Sequence, residues 1–347
     1  MKKKLIIALA VLLTVGMLVG VTGCSRGGNN GEVVELTFAH PFPATHHHHT
    51  GIIMPFVEEI EEKSNGRVKI TVHPGGSITT GTSAIDDITS GAVDMTWTLQ
   101  GYTAGRFPLT ELIEAFDHFQ SAEEATETIW GLFEKSEAFR EEYSDYKVFN
   151  MYVTDIGDVY TANKPIRTPD DLNGVKLRSA SPMVDRSLAR FGAITAGMPM
   201  PDAYDNIDRG VVDGLATGAS AIPTYKLHEV LNYATEGMNL YVSPQVMAIS
   251  WDAWNKLSEE DQKLFETIGG KALSIKSAKL YDELHADGVK AMKEAGMEVH
   301  ELSPAEKAAF VEKAATVVTE YIAELEAKGL PGQEVYDLMI EIRDSLR

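Results

Sequence analysis

Val68, Ile70 and Val72 alternate with Lys69, Thr71 and His73, the period of two expected of a strand with one buried face. Just upstream the period changes. Ile53, Phe56, Val57 and Ile60 recur at the i, i+3, i+4, i+7 spacing of a helix over 51–64, and Asn65-Gly66 supplies the left-handed stop. This exchange of periods continues along the chain. Strands are predicted at 33–40, 68–72, 93–98, 147–153, 175–178, 212–217, 242–249 and 297–302. Helices are predicted from Ser121, over 183–191, near Asp202, and from the capping pattern Ser258-Glu-Glu-Asp261 to Ala295 with strain at Gly269-Gly270. Ser303-Pro304-Ala305-Glu306 caps a further helix, and Gly329 with Pro331 separates the last two. Strands alternating with helices predict an α/β architecture.

One segment occurs twice. Residues 84–94 (AIDDITSGAVD) and 203–213 (AYDNIDRGVVD) share Ala, Asp, Ile, Gly, Val and Asp at the same places, and each runs from a helix through a glycine into a strand. Two related α/β domains facing each other across a cleft account for the echo. The expected division is 33–155 plus 244–283 for domain I and 156–243 plus 284–347 for domain II. The chain crosses between them near 155–160 and 242–249, and a long helix spans both, which implies a hinge.

The amino terminus follows a different logic. Lys2, Lys3 and Lys4 precede an apolar run from Leu5 to Gly20, so 1–23 reads as a secretory signal, with an uncleaved anchor as the alternative. Val21-Thr22-Gly23-Cys24 resembles the lipobox of bacterial lipoproteins, in which the cysteine is acylated. Cys24 is the sole cysteine, so neither a disulfide nor a thiolate metal site is expected, and 24–32 reads as a tether. The chain carries a net charge of −20, and without the three signal lysines 28 basic residues face 51 acidic ones. Such a chain repels nucleic acid and anionic lipid headgroups. An anionic solute would have to be captured by local donors.

Ligands of open α/β sheets collect outside the carboxyl ends of strands. Arg178 ends the 175–178 strand and offers a planar fork suited to a carboxylate, the plain alternative being a salt bridge. Asp158, Tyr160, Trp97, Thr217, Tyr204, His40, Phe42, Ser77 and Met200 are the other candidate ligand contacts, and His46 to His49 and Tyr102 lie on the same set of loops. The histidine run raises a zinc-type metal site as an alternative, but adjacent residues converge poorly on one ion and no thiol completes the set. A tethered hydrolase is the other alternative. The sequence holds no G-x-S-x-G, H-E-x-x-H, P-loop or G-x-G-x-x-G pattern, and paired acids such as Asp86-Asp87 and Asp170-Asp171 suit turns and caps. No enzyme activity, cofactor or metal is expected.

The stretches GRVKITVHPGGS (66–77), KPIRTPDDLNGVKLR (164–178), GVVDG (210–214) and W-x-x-L-S-E-E-D-Q (254–262) resemble the extracytoplasmic solute-binding proteins of TRAP transporters, the DctP-type family, over essentially the whole chain after the signal. The resemblance implies two α/β domains joined by hinge strands and a long helix. They would close over a small organic anion and deliver it to a TRAP membrane permease, with Arg178 as the carboxylate clamp. A lipid-anchored monomer is expected. Two departures bear on the solute. Asp158 stands where dicarboxylate- and sialic-acid-type members commonly have a second Arg, and Leu215-Ala216-Thr217 replace their Gln-Glu-Asn. Asp158 could pair with Arg178, accept from an amine or hydroxyl of the solute, or point into the hinge. A monocarboxylate or zwitterion is expected in preference to a dicarboxylate.

Overall fold

A computed structural model describes residues 33–347, so the signal segment, Cys24 and the tether lie outside the described residues. Two mixed sheets organise the chain. The first runs β2 (Val68–His73), β1 (Val34–Ala39), β3 (Met95–Leu99), β10 (Pro244–Ser250), β4 (Tyr146–Val153). The second runs β11 (Glu298–Glu301), β9 (Tyr233–Glu236), β5 (Gly157–Thr161), β8 (Gly214–Gly218), β6 (Lys176–Ser179), β7 (Ile194–Gly197). Each contains a parallel trio, β2-β1-β3 or β7-β6-β8, closed on one side by an antiparallel strand: β10 in the first sheet, β5 in the second.

The repeated segment occupies the same place in both trios. The helices Ala84–Thr89 and Ala203–Asp208 end at Gly91 and Gly210, both at positive φ, and lead into β3 and β8. The final aspartates do the same job. Asp94 accepts from the Thr37 amide on β1 at 2.9 Å while its own amide donates to the Thr37 carbonyl; Asp213 accepts from the Lys176 amide on β6 at 2.9 Å and donates back in the same way. Each aspartate thus pins the start of the third strand to the first.

The chain passes between sheets at 154–156 and again at 237–243, where Gly157 bridges Tyr241. The third link is helical. The expected single helix from Ser258 is two, Glu259–Ile268 and Gly270–Glu294, because Gly270 takes φ +67° and a side chain at Gly269 would strike the Phe265 and Phe149 carbonyls. Near its start, Ser274 accepts from the Met151 amide of β4 at 3.0 Å; near its end, Gly288 lies so close to the carbonyl of Ala219, just after β8, that a Cβ would sit 2.2 Å from it. One helix therefore rests on both sheets.

Other features differ from the sequence expectation. β5, β7 and β9 were not expected as strands, and at four or five residues each is too short to show a period. The region after Ser303 breaks at Ala315–Thr316 into helices Pro304–Ala314 and Val317–Ala327, without glycine or proline at the break. The last helix, Gly332–Ser345, was expected with the second sheet. It packs instead on the Ala122–Lys135 helix covering β4, with the Tyr336 hydroxyl 2.9 Å from His118 Nε2. No helix among the described residues is long and apolar enough to cross a membrane.

Candidate functional site

Between the sheets lies a cavity lined by side chains of both sheets and of the long helix. Arg178 enters it from the carboxyl end of β6 and is 1% exposed. Its Nε donates to the Met198 carbonyl at 2.9 Å, Nη1 to the Ala216 carbonyl at 3.3 Å and Nη2 to the Tyr102 hydroxyl at 3.3 Å. A guanidinium has five N–H groups, so one hydrogen on each Nη is left over, which is the fork a carboxylate takes bidentately. No acidic side chain among the described residues forms a salt bridge with Arg178. The Tyr102 oxygen also accepts from the Met200 amide at 2.9 Å, which leaves its own proton for a further acceptor beside the fork. Burial raises the Tyr102 pKa, so that proton stays in place.

Aromatic rings form part of the walls. Phe42, His46, Tyr225, Tyr241 and Tyr281 line the space together with Leu99, Ala180 and Met200. Phe42 and His46 have ring centroids 5.6 Å apart, His46 and Tyr225 5.8 Å, and His47 and Tyr281 4.6 Å. Polar groups in the lining are Thr154, Thr217, Ser220, Ser243, Gln245, His47 and Asp155. Asp155, in the first crossing, accepts from the Ser220 amide at 3.0 Å and hydroxyl at 2.7 Å, and from His285 Nδ1 at 3.1 Å.

The histidine run is divided by the turn of the chain, since successive residues of a helix point roughly 100° apart. His46 and His47 reach the cavity. His49 turns back to His40, Nδ1 to Nε2 at 2.9 Å, and His48 stacks on Tyr152 with centroids 4.4 Å apart. Burial lowers the pKa of His40 to about 3 and of His47 to about 4, and holds His46 and His48 well below the ordinary value, so these rings are neutral. Among the described residues no three metal-ligating side chains converge.

Of the candidates named from sequence, Arg178, Phe42, Met200 and Thr217 line the cavity, as do Tyr102, His46 and His47. The other six do not. Both Asp158 oxygens are taken by the amides of Gly237 and Asn239, at 2.9 and 2.8 Å, so Asp158 holds the second crossing and takes no part in the clamp. Tyr160 donates to Glu236 at 2.7 Å, and Trp97 is buried behind Phe42 and donates to Gln245. His40 is engaged by His49. Tyr204 pairs with Glu229 away from the cavity, and Ser77 lies exposed on its loop. Asp155, Ser220, Tyr225, Tyr241, Gln245 and Tyr281 were missed. For Tyr281 a signal exists: Ser274, Ser277, Ala278 and Tyr281 form a buried i, i+3, i+4, i+7 stripe, with small polar residues unusual for a simple core face.

Residues 38–325 match the bacterial extracellular solute-binding protein family 7, DctP. The C4-dicarboxylate-binding periplasmic protein DctP of Rhodobacter capsulatus is 27% identical over 275 residues, 77% of this chain and 80% of that protein. A TRAP solute-binding protein from a marine metagenome, specific for aromatic acid ligands and solved with metahydroxyphenylacetate, superposes with a TM-score of 0.86 at 26% identity, covering 90% of this chain and 99% of the other. A TRAP periplasmic solute-binding protein of Bordetella bronchiseptica with bound (R)- and (S)-mandelate gives 0.83 at 26% identity, covering 90% and 100%.

Proposed function

This chain belongs to family 7 of the bacterial extracellular solute-binding proteins, and from that premise we propose that its solute is a small monocarboxylate with an aromatic or apolar body, gripped by Arg178. As a member of that family it is an extracytoplasmic, non-enzymatic component of TRAP-type transport that binds a small organic acid.

Arg178 carries the finer reading. It is a buried guanidinium whose three protein acceptors are two carbonyls and a phenol, none of them charged. A buried charge without a counter-ion is strongly unfavourable, so a carboxylate of the solute supplies what the protein withholds. The same cost couples binding to closure: bringing the two sheets together over Arg178 becomes favourable when the solute brings its charge. The five aromatic rings around the fork suit a flat or apolar body. Asp155, a carboxylate on the same cavity, disfavours a second anionic group on the solute. The relatives named above bind both kinds of acid, a C4-dicarboxylate in one and aromatic acids in the others.

A thermal-shift and calorimetric panel of aromatic, aliphatic and dicarboxylic acids tests the reading. A monocarboxylate should give the largest shift, and a ligand at about 100 times its Kd adds roughly 2.7 kcal/mol. A panel in which no carboxylate binds would overturn it. The proposed anchor is a lipid on Cys24, supported by the basic and apolar segment before it. Mass spectrometry of the native protein showing an unmodified Cys24 would remove the anchor.

A further inference from the structure

His47 brings a second polar group to the cavity lining. His47 Nδ1 lies 3.3 Å from the Thr224 hydroxyl oxygen. That hydroxyl has a single proton, and it is directed to the Ser220 carbonyl at 2.9 Å, a bond back along the short Ala221–Thr224 helix. Thr224 can therefore only accept from the ring, and the hydrogen sits on His47 Nδ1. Burial keeps the ring neutral at neutral pH, with a pKa of about 4. A neutral imidazole protonated on Nδ1 has a bare lone pair on Nε2. His47 Nε2 is buried and has no protein partner, and His47 is part of the cavity lining.

We propose that His47 Nε2 is the second recognition point of the cavity and accepts a hydrogen bond from a hydroxyl group of the solute, making the preferred ligand a hydroxy-substituted aromatic or apolar monocarboxylate. This rests on Arg178 holding the carboxylate. An ether, carbonyl or second carboxylate at that place would set lone pair against lone pair. An unsubstituted acid would leave Nε2 buried without a partner. Thr224 lies outside the cavity and acts as the positioning residue that locks the tautomer.

Matched ligands test the inference on the full-length protein by calorimetry: mandelate against phenylacetate, 3-hydroxybenzoate against benzoate, and the methyl ether and amino analogue of each hydroxy acid. At least one hydroxy acid should bind about tenfold or more tighter than both its unsubstituted partner and its ether, the scale of one satisfied buried hydrogen bond. His47→Phe, which keeps a ring against Tyr281, should erase that difference while carboxylate binding survives. Thr224→Val should shrink it. Nitrogen-15 spectra of the wild-type protein should show His47 protonated on Nδ1 and give the expected result even if a variant fails to fold. Carboxylates that bind without any hydroxyl preference, a preference for the amino analogues, or a ring protonated on Nε2 would each overturn the inference and leave the Arg178 reading standing. Failure of every carboxylate would overturn both.

Discussion

Nδ1 of His285, on the long helix, lies 3.1 Å from Oδ2 of Asp155, in the first crossing between the sheets. Nε2 of the same ring is 3.4 Å from Glu236, at the end of β9 where the second crossing begins. One imidazole therefore ties together all three connections between the two sheets. Burial opposes its charge, but the hydrogen bonds to Asp155 and Glu236 prevail and raise its pKa to about 10.

Stability should consequently fall across the alkaline range. A group whose pKa is raised on folding stabilises fully below its unfolded value, here 6.5, and that contribution is lost as pH rises through about 10. Urea unfolding at a series of pH values should show this decline in the wild-type protein, and His285→Gln should flatten it. An identical pH dependence in the two proteins between 6.5 and 10 would refute the assignment.

Arg178→Ala should weaken carboxylate binding more than a hundredfold, because stranding one member of a buried ion pair costs about 3–5 kcal/mol. Arg178→Lys should also bind poorly, since an ammonium cannot reproduce the two parallel N–H donors. Normal affinity in a folded Ala variant would take Arg178 out of the site.

Succinate, malate and fumarate should bind far more weakly than the best monocarboxylate. The group proposed to exclude them is Asp155, which lines the cavity, whereas Asp158 does not. Asp155→Asn keeps an oxygen for Ser220 and removes the repulsion, so it should narrow the gap between dicarboxylates and monocarboxylates. If competition titrations find the same gap in both proteins, the repulsion lies elsewhere.

Gly288→Ala should destabilise the protein by roughly 1–3 kcal/mol through overpacking. The added methyl would sit 2.2 Å from the Ala219 carbonyl, a backbone atom with no rotamer to yield. Because Ala219 precedes Ser220, which donates to Asp155, solute affinity should fall as well. A melting temperature and Kd unchanged from wild type would show that the helix does not bear on the second sheet at this point.

The alternation of strands and helices, the duplicated segment and the place of Arg178 at a strand end are legible along the chain. These depend on neighbours in the chain. A glycine with positive φ stops each repeated helix, and a terminal aspartate can be recognised in both copies before its partner is known. A residue at the end of a strand faces the ligand edge of the sheet whatever lies opposite. The helical break at Gly269-Gly270 was visible as strain, though its outcome, two helices, depended on the Phe149 carbonyl that presses on Gly269.

Which polar side chains share the cavity depends on contacts between segments distant in the chain. Asp155 and Asp158 are three residues apart, one in the first crossing and the other on β5, and what separates their roles is contact with Ser220 and His285 for one and with Gly237 and Asn239 for the other. Nothing in the local sequence distinguishes them. In the same way four successive histidines divide into cavity and core by rotation about a turn, and Tyr281 reaches the solute space from a helix more than a hundred residues away from Arg178. Periodicity reports which face of an element is buried. It does not report whether that face meets a core or a ligand, because both present the same apolar pattern until the second sheet is set against the first.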